Sequence, residues 1–171
     1  GISPIVNAEY LEFDFIPLSN SFSFNFLFAS NEYGFYQCEF SDVFAFVLTD
    51  LSTGVSTNLA VIPGTSTPVS VTTIRNSFYN DPSSPNNNCA SVNPSFFGTY
   101  NVANPTSALN MRGQTVLMNA SSAVTPNTPY KIRLVIGDYA NSGFDSAVFI
   151  AAGSFTTTLD LGPDQIICTG D

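Results

Sequence analysis

The chain has 171 residues, the size of one ordinary domain and enough to bury about two thirds of its unfolded surface without disulfides. Charged residues make up only 10% of it, so solubility rests on hydroxyl and amide side chains, a balance common in extracellular β proteins. Its 13 acidic against 4 basic residues give a formal charge of −9, which argues against nucleic acid and membrane surfaces as partners, and the absence of histidine excludes Ser-His-Asp triads and histidine-ligated zinc.

No stretch approaches the ~18 consecutive apolar residues of a membrane span, so no direct membrane insertion is expected. The start Gly1-Ile2-Ser3-Pro4 has neither the charged nor the apolar region of a signal peptide, and the expectation is a chain that is processed or excised from a longer protein.

Residues 9–15 alternate, with Leu11, Phe13 and Phe15 on one face and Glu12 and Asp14 on the other, the period of a half-buried strand. Residues 17–20 turn the chain, and residues 21–29 continue with Phe22, Phe24, Phe26 and Phe28 on one side, so these two strands are expected to form an antiparallel hairpin. Such an aromatic row is a packing element before it is a sugar platform. Residues 43–49 are apolar on both faces, which predicts an interior strand covered on both sides. Turn residues fill 50–54, and the β-branched runs 56–62 and 69–74 are predicted as two strands joined by Pro63-Gly64-Thr65-Ser66-Thr67-Pro68, whose glycine suits a positive φ.

Residues 76–105 have little periodicity and form a loop too long to be a mere connector, with Tyr79, Phe96, Phe97 and Tyr100 expected to anchor it in the core. Strands are predicted at 114–119, at 130–136, where Tyr130, Ile132, Leu134 and Ile136 oppose Lys131, Arg133 and Val135, and at 146–152. No window shows a helical period, so the fold class is all-β: an antiparallel β-sandwich of jelly-roll type with a long loop insertion.

The three cysteines lack C-x-x-C spacing. Cys38 and Cys89 fall in polar loops of the body and Cys168 in the terminal tail, so a Cys38–Cys89 disulfide is expected, the alternative being three free thiols in a reducing compartment. Such a bridge would staple the long loop to the acidic one.

Two stretches share a grammar. Residues 30–48 and 136–150 each place Asp and Asn in a short polar loop beside apolar strands. Calcium takes six to eight oxygens from carboxylates, amides, backbone carbonyls and water, and such loops supply them. The candidate ligands are Asn31, Glu32, Glu39 and Asp42 from the first loop and Asp138, Asn141, Ser142 and Asp145 from the second, meeting if the strands ending at Ala29 and Ile136 are neighbours. Carboxylates that converge repel unless a cation sits between them. The plain alternative is that Asp and Asn are ordinary turn formers. A rival chemistry is glycoside hydrolysis by a carboxylate pair drawn from Glu32, Asp42, Asp138 and Asp145, which the polar Asn, Ser and Gly surroundings disfavour because a catalytic acid wants an apolar setting. No catalytic residue is assigned.

At these residues the chain resembles the choice-of-anchor L domain of large secreted proteins of Bacteroidetes. The matching pieces are Leu-Glu-Phe-Asp-Phe-Ile-Pro from Leu11, Phe-Ala-Ser-Asn-Glu-Tyr from Phe28, Asp-Val-Phe-Ala-Phe from Asp42, Asn-Leu-Ala-Val-Ile-Pro-Gly-Thr-Ser-Thr-Pro-Val-Ser from Asn58 and Asp-Ser-Ala-Val-Phe from Asp145. Where that family often has a Tyr-Asp-Gly type turn, this chain has Met111-Arg112-Gly113. The resemblance implies export, by the type IX route, to the cell surface and a role in adhesion or binding. The expected division is a sandwich domain over 1–158 and, over 159–171, a linker and the start of a following immunoglobulin-like domain that would hold the partner of Cys168. Taken together, the expected function is a calcium-supported adhesion module recognising an extracellular glycan or a surface protein. A spacer without a ligand is the alternative.

Overall fold

Period-two alternation decides the architecture. The computed structural model describes residues 5–78, 88–102, 106–139 and 143–156. Among these, the strands in chain order are β1 (Ile5–Phe15), β2 (Ser21–Ser30), β3 (Val43–Asp50), β4 (Ser56–Asn58), β5 (Phe97–Tyr100), β6 (Gly113–Thr115), β7 (Met118–Ala123), β8 (Tyr130–Tyr139) and β9 (Ser146–Ile150). One antiparallel sheet has the order β1-β8-β3-β4. In the other, β2 carries β6 and β7 along one edge and β9 along the opposite edge, and β5 lies outside β6. The expected all-β sandwich of two antiparallel sheets is therefore what forms; a jelly-roll connectivity is not among the features these orders establish.

Between the sheets lies an aromatic core. Phe22, Phe24, Phe26 and Phe28 of β2 are at most 3% exposed. They meet β3 across the gap, with ring centroids 5.0 Å apart for Phe24 and Phe46, 4.9 Å for Phe26 and Phe46, and 4.9 Å for Phe28 and Phe44. Burying one such ring is worth roughly 1.5–3 kcal/mol, and a well-placed ring pair adds ~0.5–1.5 kcal/mol. Ile132 is fully buried beside them, while the outer face of β8 is polar: Glu12 accepts from Lys131 Nζ at 2.7 Å and from Arg133 Nε at 2.6 Å.

Several expectations need correction. β1 and β2 are not a hairpin: β1 pairs with β8 in one sheet while β2 lies in the other. The link between them crosses the sandwich, held where Asn127 donates to the Pro17 carbonyl at 2.8 Å and Val124 to that of Asn20 at 3.0 Å. The outer edge of β1 is unpaired among the described residues, so Leu11 is 61% exposed at the margin of a cavity of about 280 Å³ shared with Leu134, Ile136, Val148 and Ile150. β3 is interior within its sheet but covered on one face only, with Phe44, Phe46 and Leu48 buried and Val43 exposed.

Of the predicted strand 56–62 only β4 forms, and 69–74 is no strand. There Ser70 and Thr73 bond each other's backbone amides, which bends the run while Val69, Val71 and Ile74 stay buried. The turn at Gly64 takes the expected positive φ, 80°. The loop 76–105 contains the unforeseen strand β5, and Phe96, Phe97 and Tyr100 pack against the core as anchors; Tyr79 lies outside the described residues. The predicted strand 114–119 is broken into β6 and β7 by one extra residue, since Ala29 pairs with Gln114 but Phe26 with Met118. At the break the Phe28 amide donates to the Thr115 hydroxyl at 3.0 Å, which replaces the missing backbone acceptor.

Candidate functional site

Two crossovers share one end of the sandwich. Residues 31–42 lead from β2 in one sheet to β3 in the other, and the connection from β8 to β9 runs between the same two sheets in the opposite sense. Ser30 pairs with Ser146 and Val43 with Gly137, so the crossovers lie side by side. The two polar loops do meet, but the reason differs from the expected one: β2 and β8 are in different sheets, and it is β9 that brings the second loop to β2. The Asn31 amide donates to the Asp145 carbonyl at 3.0 Å, and the Tyr36 and Phe144 rings lie 4.5 Å apart.

Glu32 and Asp42 occupy the inside of this junction, each only 2% exposed. The Asp42 amide donates to Glu32 Oε2 at 2.7 Å, and the Tyr139 amide donates to Asp42 Oδ1 at 3.3 Å. Asp42 Oδ2 and the Ser146 hydroxyl are both buried, and among the described residues neither has a hydrogen-bond partner of good geometry. Burial pushes the Glu32 carboxyl up to about 7, with the charges of Asp42 and Asp138 adding to the shift. Burial likewise raises Asp42, opposed by the nearby Ser146 hydroxyl and the Tyr139 amide and reinforced by Asp138 and Asp145.

The remaining candidates are more peripheral. Asn31 spends its side-chain oxygen on the Arg112 amide at 3.1 Å. Asp138 accepts from Asn7 Nδ2 at 3.3 Å, Asp145 and Glu39 are exposed, and Asn141 and Ser142 lie outside the described residues. Among the described residues no three His, Cys, Asp or Glu side chains group closely enough to hold a metal ion between them. What the junction brings together is a pair of buried carboxylates, Glu32 and Asp42, with Ser146 beside them.

The first loop is fixed from behind. Cys38 and Cys89 form the expected disulfide, with Cα atoms 5.5 Å apart; Cys168 and the tail 159–171 lie outside the described residues. The buried Gln37 donates to the Asn76 carbonyl at 2.8 Å, and Arg75 reaches the Thr72 carbonyl at 2.6 Å and that of Ala90 at 3.0 Å. At the turn where Met111-Arg112-Gly113 stands, Arg112 lies 4.8 Å from the Phe35 ring centroid, and a Cβ on Gly113 would sit 2.7 Å from Tyr33 Cβ. Gln37, Arg75 and Ser146 were missed from the sequence. Each acts through a contact distant in the chain, which no local pattern announces.

These features define a two-sheet β-sandwich domain in which two crossovers carry the polar chemistry. The choice-of-anchor L domain model matches residues 2–156, so the chain belongs to that family, whose members are surface modules of secreted proteins. No curated protein and no solved structure matches the chain. No helix among the described residues is long and apolar enough to cross a membrane.

Proposed function

We propose that the domain is a calcium-supported adhesion module in which the ion fixes the two crossovers and the end of the sandwich they build binds an extracellular glycan or surface protein. The observation that carries this reading is Asp42 Oδ2, a buried carboxylate oxygen that lies near the Ser146 hydroxyl but has no hydrogen-bond partner of good geometry among the described residues, at the point where both crossovers converge. An unsatisfied buried acceptor costs about 1–3 kcal/mol, more when charged, and an ion is one way to relieve it. Calcium accepts neutral oxygens alongside carboxylates, so Glu32 and Asp42 with the Ser146 hydroxyl, the second loop and water provide the types of ligand it needs. Asp138 and Asp145, close enough to act on Asp42 through their charges, are the outer members of the set.

The rival reading as a glycoside hydrolase gains no support from this geometry. Both buried carboxyls are withdrawn from the surface, and neither presents itself across a cleft to a scissile bond. Export by the type IX route from a Bacteroidetes cell and flanking immunoglobulin-like domains in the same chain complete the proposal, supported by the sequence resemblance alone.

The test is adhesion of domain-coated beads to glycan-coated surfaces and to whole cells, with calcium and with EDTA. Adhesion that EDTA abolishes is the expected result. Absence of adhesion to every surface would leave a spacer that holds other domains out.

A further inference from the structure

We infer that the ligand contacted by this module is a neutral hexopyranose, seated in the shallow pocket between residues 39–43, the bend at residues 70–72 and the Tyr139 ring. The inference rests on the adhesion reading for its biological setting, but its chemistry stands on the pocket itself. The pocket has a volume of about 180 Å³, room for one small ring, whereas drug-sized ligands occupy ~300–1,000 Å³.

Its lining is amphipathic in the way a pyranose is. Tyr139 and Val43 are 39% and 38% exposed and present an aromatic ring and a branched aliphatic group, a platform for the C–H face of a sugar. Around them stand the exposed Glu39 carboxylate and the Ser41 and Thr72 hydroxyl oxygens, which keep an acceptor lone pair for ring hydroxyls beside the hydrogen bonds they make within the wall. Asp42 lies behind them as a buried wall that shapes the pocket and leaves contact with the sugar to the exposed groups.

The wall is also prefixed. Ser41 Oγ donates to the Asp42 carbonyl at 3.0 Å and accepts from the Val71 amide at 2.9 Å, which ties one side of the pocket to the other, and the Tyr139 amide is held by Asp42 Oδ1. Little ordering is then left for binding to impose. No lysine or arginine lines the pocket, and the chain carries a formal charge of −9, so sialylated, uronic or sulfated sugars meet only repulsion. A protein lysine would find the single exposed carboxylate of Glu39 but leave the ring and aliphatic platform unmatched, so the neutral sugar is the better fit.

The experiment is saturation-transfer NMR with the methyl glycosides of mannose, galactose and glucose, with methyl sialoside as the anionic control and acetyl-lysine methyl ester as the cationic one. Wild type, Tyr139→Ala and the exposed-site variant Glu39→Gln are compared in calcium and in EDTA, with melting curves for each. Transfer to the ring protons of a neutral glycoside, weakened about tenfold in Tyr139→Ala at unchanged melting temperature and weakened in Glu39→Gln, supports the assignment. No transfer to any neutral glycoside, while calcium still raises the melting temperature, overturns the sugar pocket and leaves the calcium reading standing. Transfer that neither variant alters overturns the location, and preference for the lysine ester or the sialoside overturns the ligand class. Transfer that depends on Tyr139 and is identical in calcium and EDTA supports the pocket and removes the calcium reading instead.

Discussion

The backbone amide of Asp42 donates to Glu32 Oε2 at 2.7 Å, so two buried acidic residues ten positions apart close the first crossover on itself. This bond gives Glu32 one fixed acceptor role, while its burial beside Asp42 and Asp138 resists ionisation. The junction therefore holds a proton or a cation more comfortably than it holds bare charge.

A pH dependence follows. The folded Glu32 carboxyl titrates at about 7 against an ordinary value of 4.5, so between those values the folded state binds the extra proton. Stability is then fullest below pH ~4.5 with respect to this group and falls as pH rises to ~7, by roughly 3 kcal/mol at most. Glu32→Gln keeps an acceptor for the Asp42 amide but cannot ionise. Its urea unfolding free energy, measured in EDTA from pH 5 to 7.5, is expected to decline less than that of wild type, and parallel curves would contradict the assignment.

The disulfide makes a separate prediction. Cys38 and Cys89 are 51 positions apart, and closing a loop of that length removes much denatured-state entropy. Replacing both with serine should cost ~2–4 kcal/mol in chemical denaturation. Alkylation before and after reduction, read by mass, should reveal the paired cysteines only in the reduced sample.

Gly113 tests the close approach behind the first loop. An added methyl would meet Tyr33 Cβ at 2.7 Å, and Tyr33 is buried with its hydroxyl donating to the Ile74 carbonyl at 3.0 Å, so it has little room to yield. Gly113→Ala is expected to destabilise by ~1–3 kcal/mol, the usual range for overpacking. A neutral result in thermal melts would mean that Tyr33 relaxes.

The aromatic core gives the largest expected effect. Phe46 packs against both Phe24 and Phe26 across the sandwich, so Phe46→Ala should cost ~3–5 kcal/mol by denaturant titration.

Much of this was readable in the residue order, but unevenly. The phenylalanine row of β2 was legible because period two is a local signal that burial enforces. Its partner was not: β1 follows the same period and lies next in sequence, yet a short link can turn a hairpin or cross to the opposite sheet, and contacts of Pro17 and Asn20 with distant residues decide which. The run at 69–74 misled because β-branched residues favour strands while Ser70 and Thr73 favour a bend, and here the hydroxyls won. Glu32 and Asp42 were legible as candidates by residue type and loop setting. Their burial, and the unpaired Oδ2 of Asp42 beside Ser146, depend on the crossovers running side by side, which only the assembled sheets reveal.

The central claim is that the Glu32 and Asp42 junction takes calcium, and calorimetric titration of calcium into wild type and Asp42→Asn at pH 7.5 tests it most directly. Wild type should bind one ion saturably, with a Kd on the order of 10⁻⁴–10⁻³ M as in extracellular modules, and Asp42→Asn, folded by circular dichroism, should not. Absence of binding in wild type, or equal binding by the variant, would contradict the account.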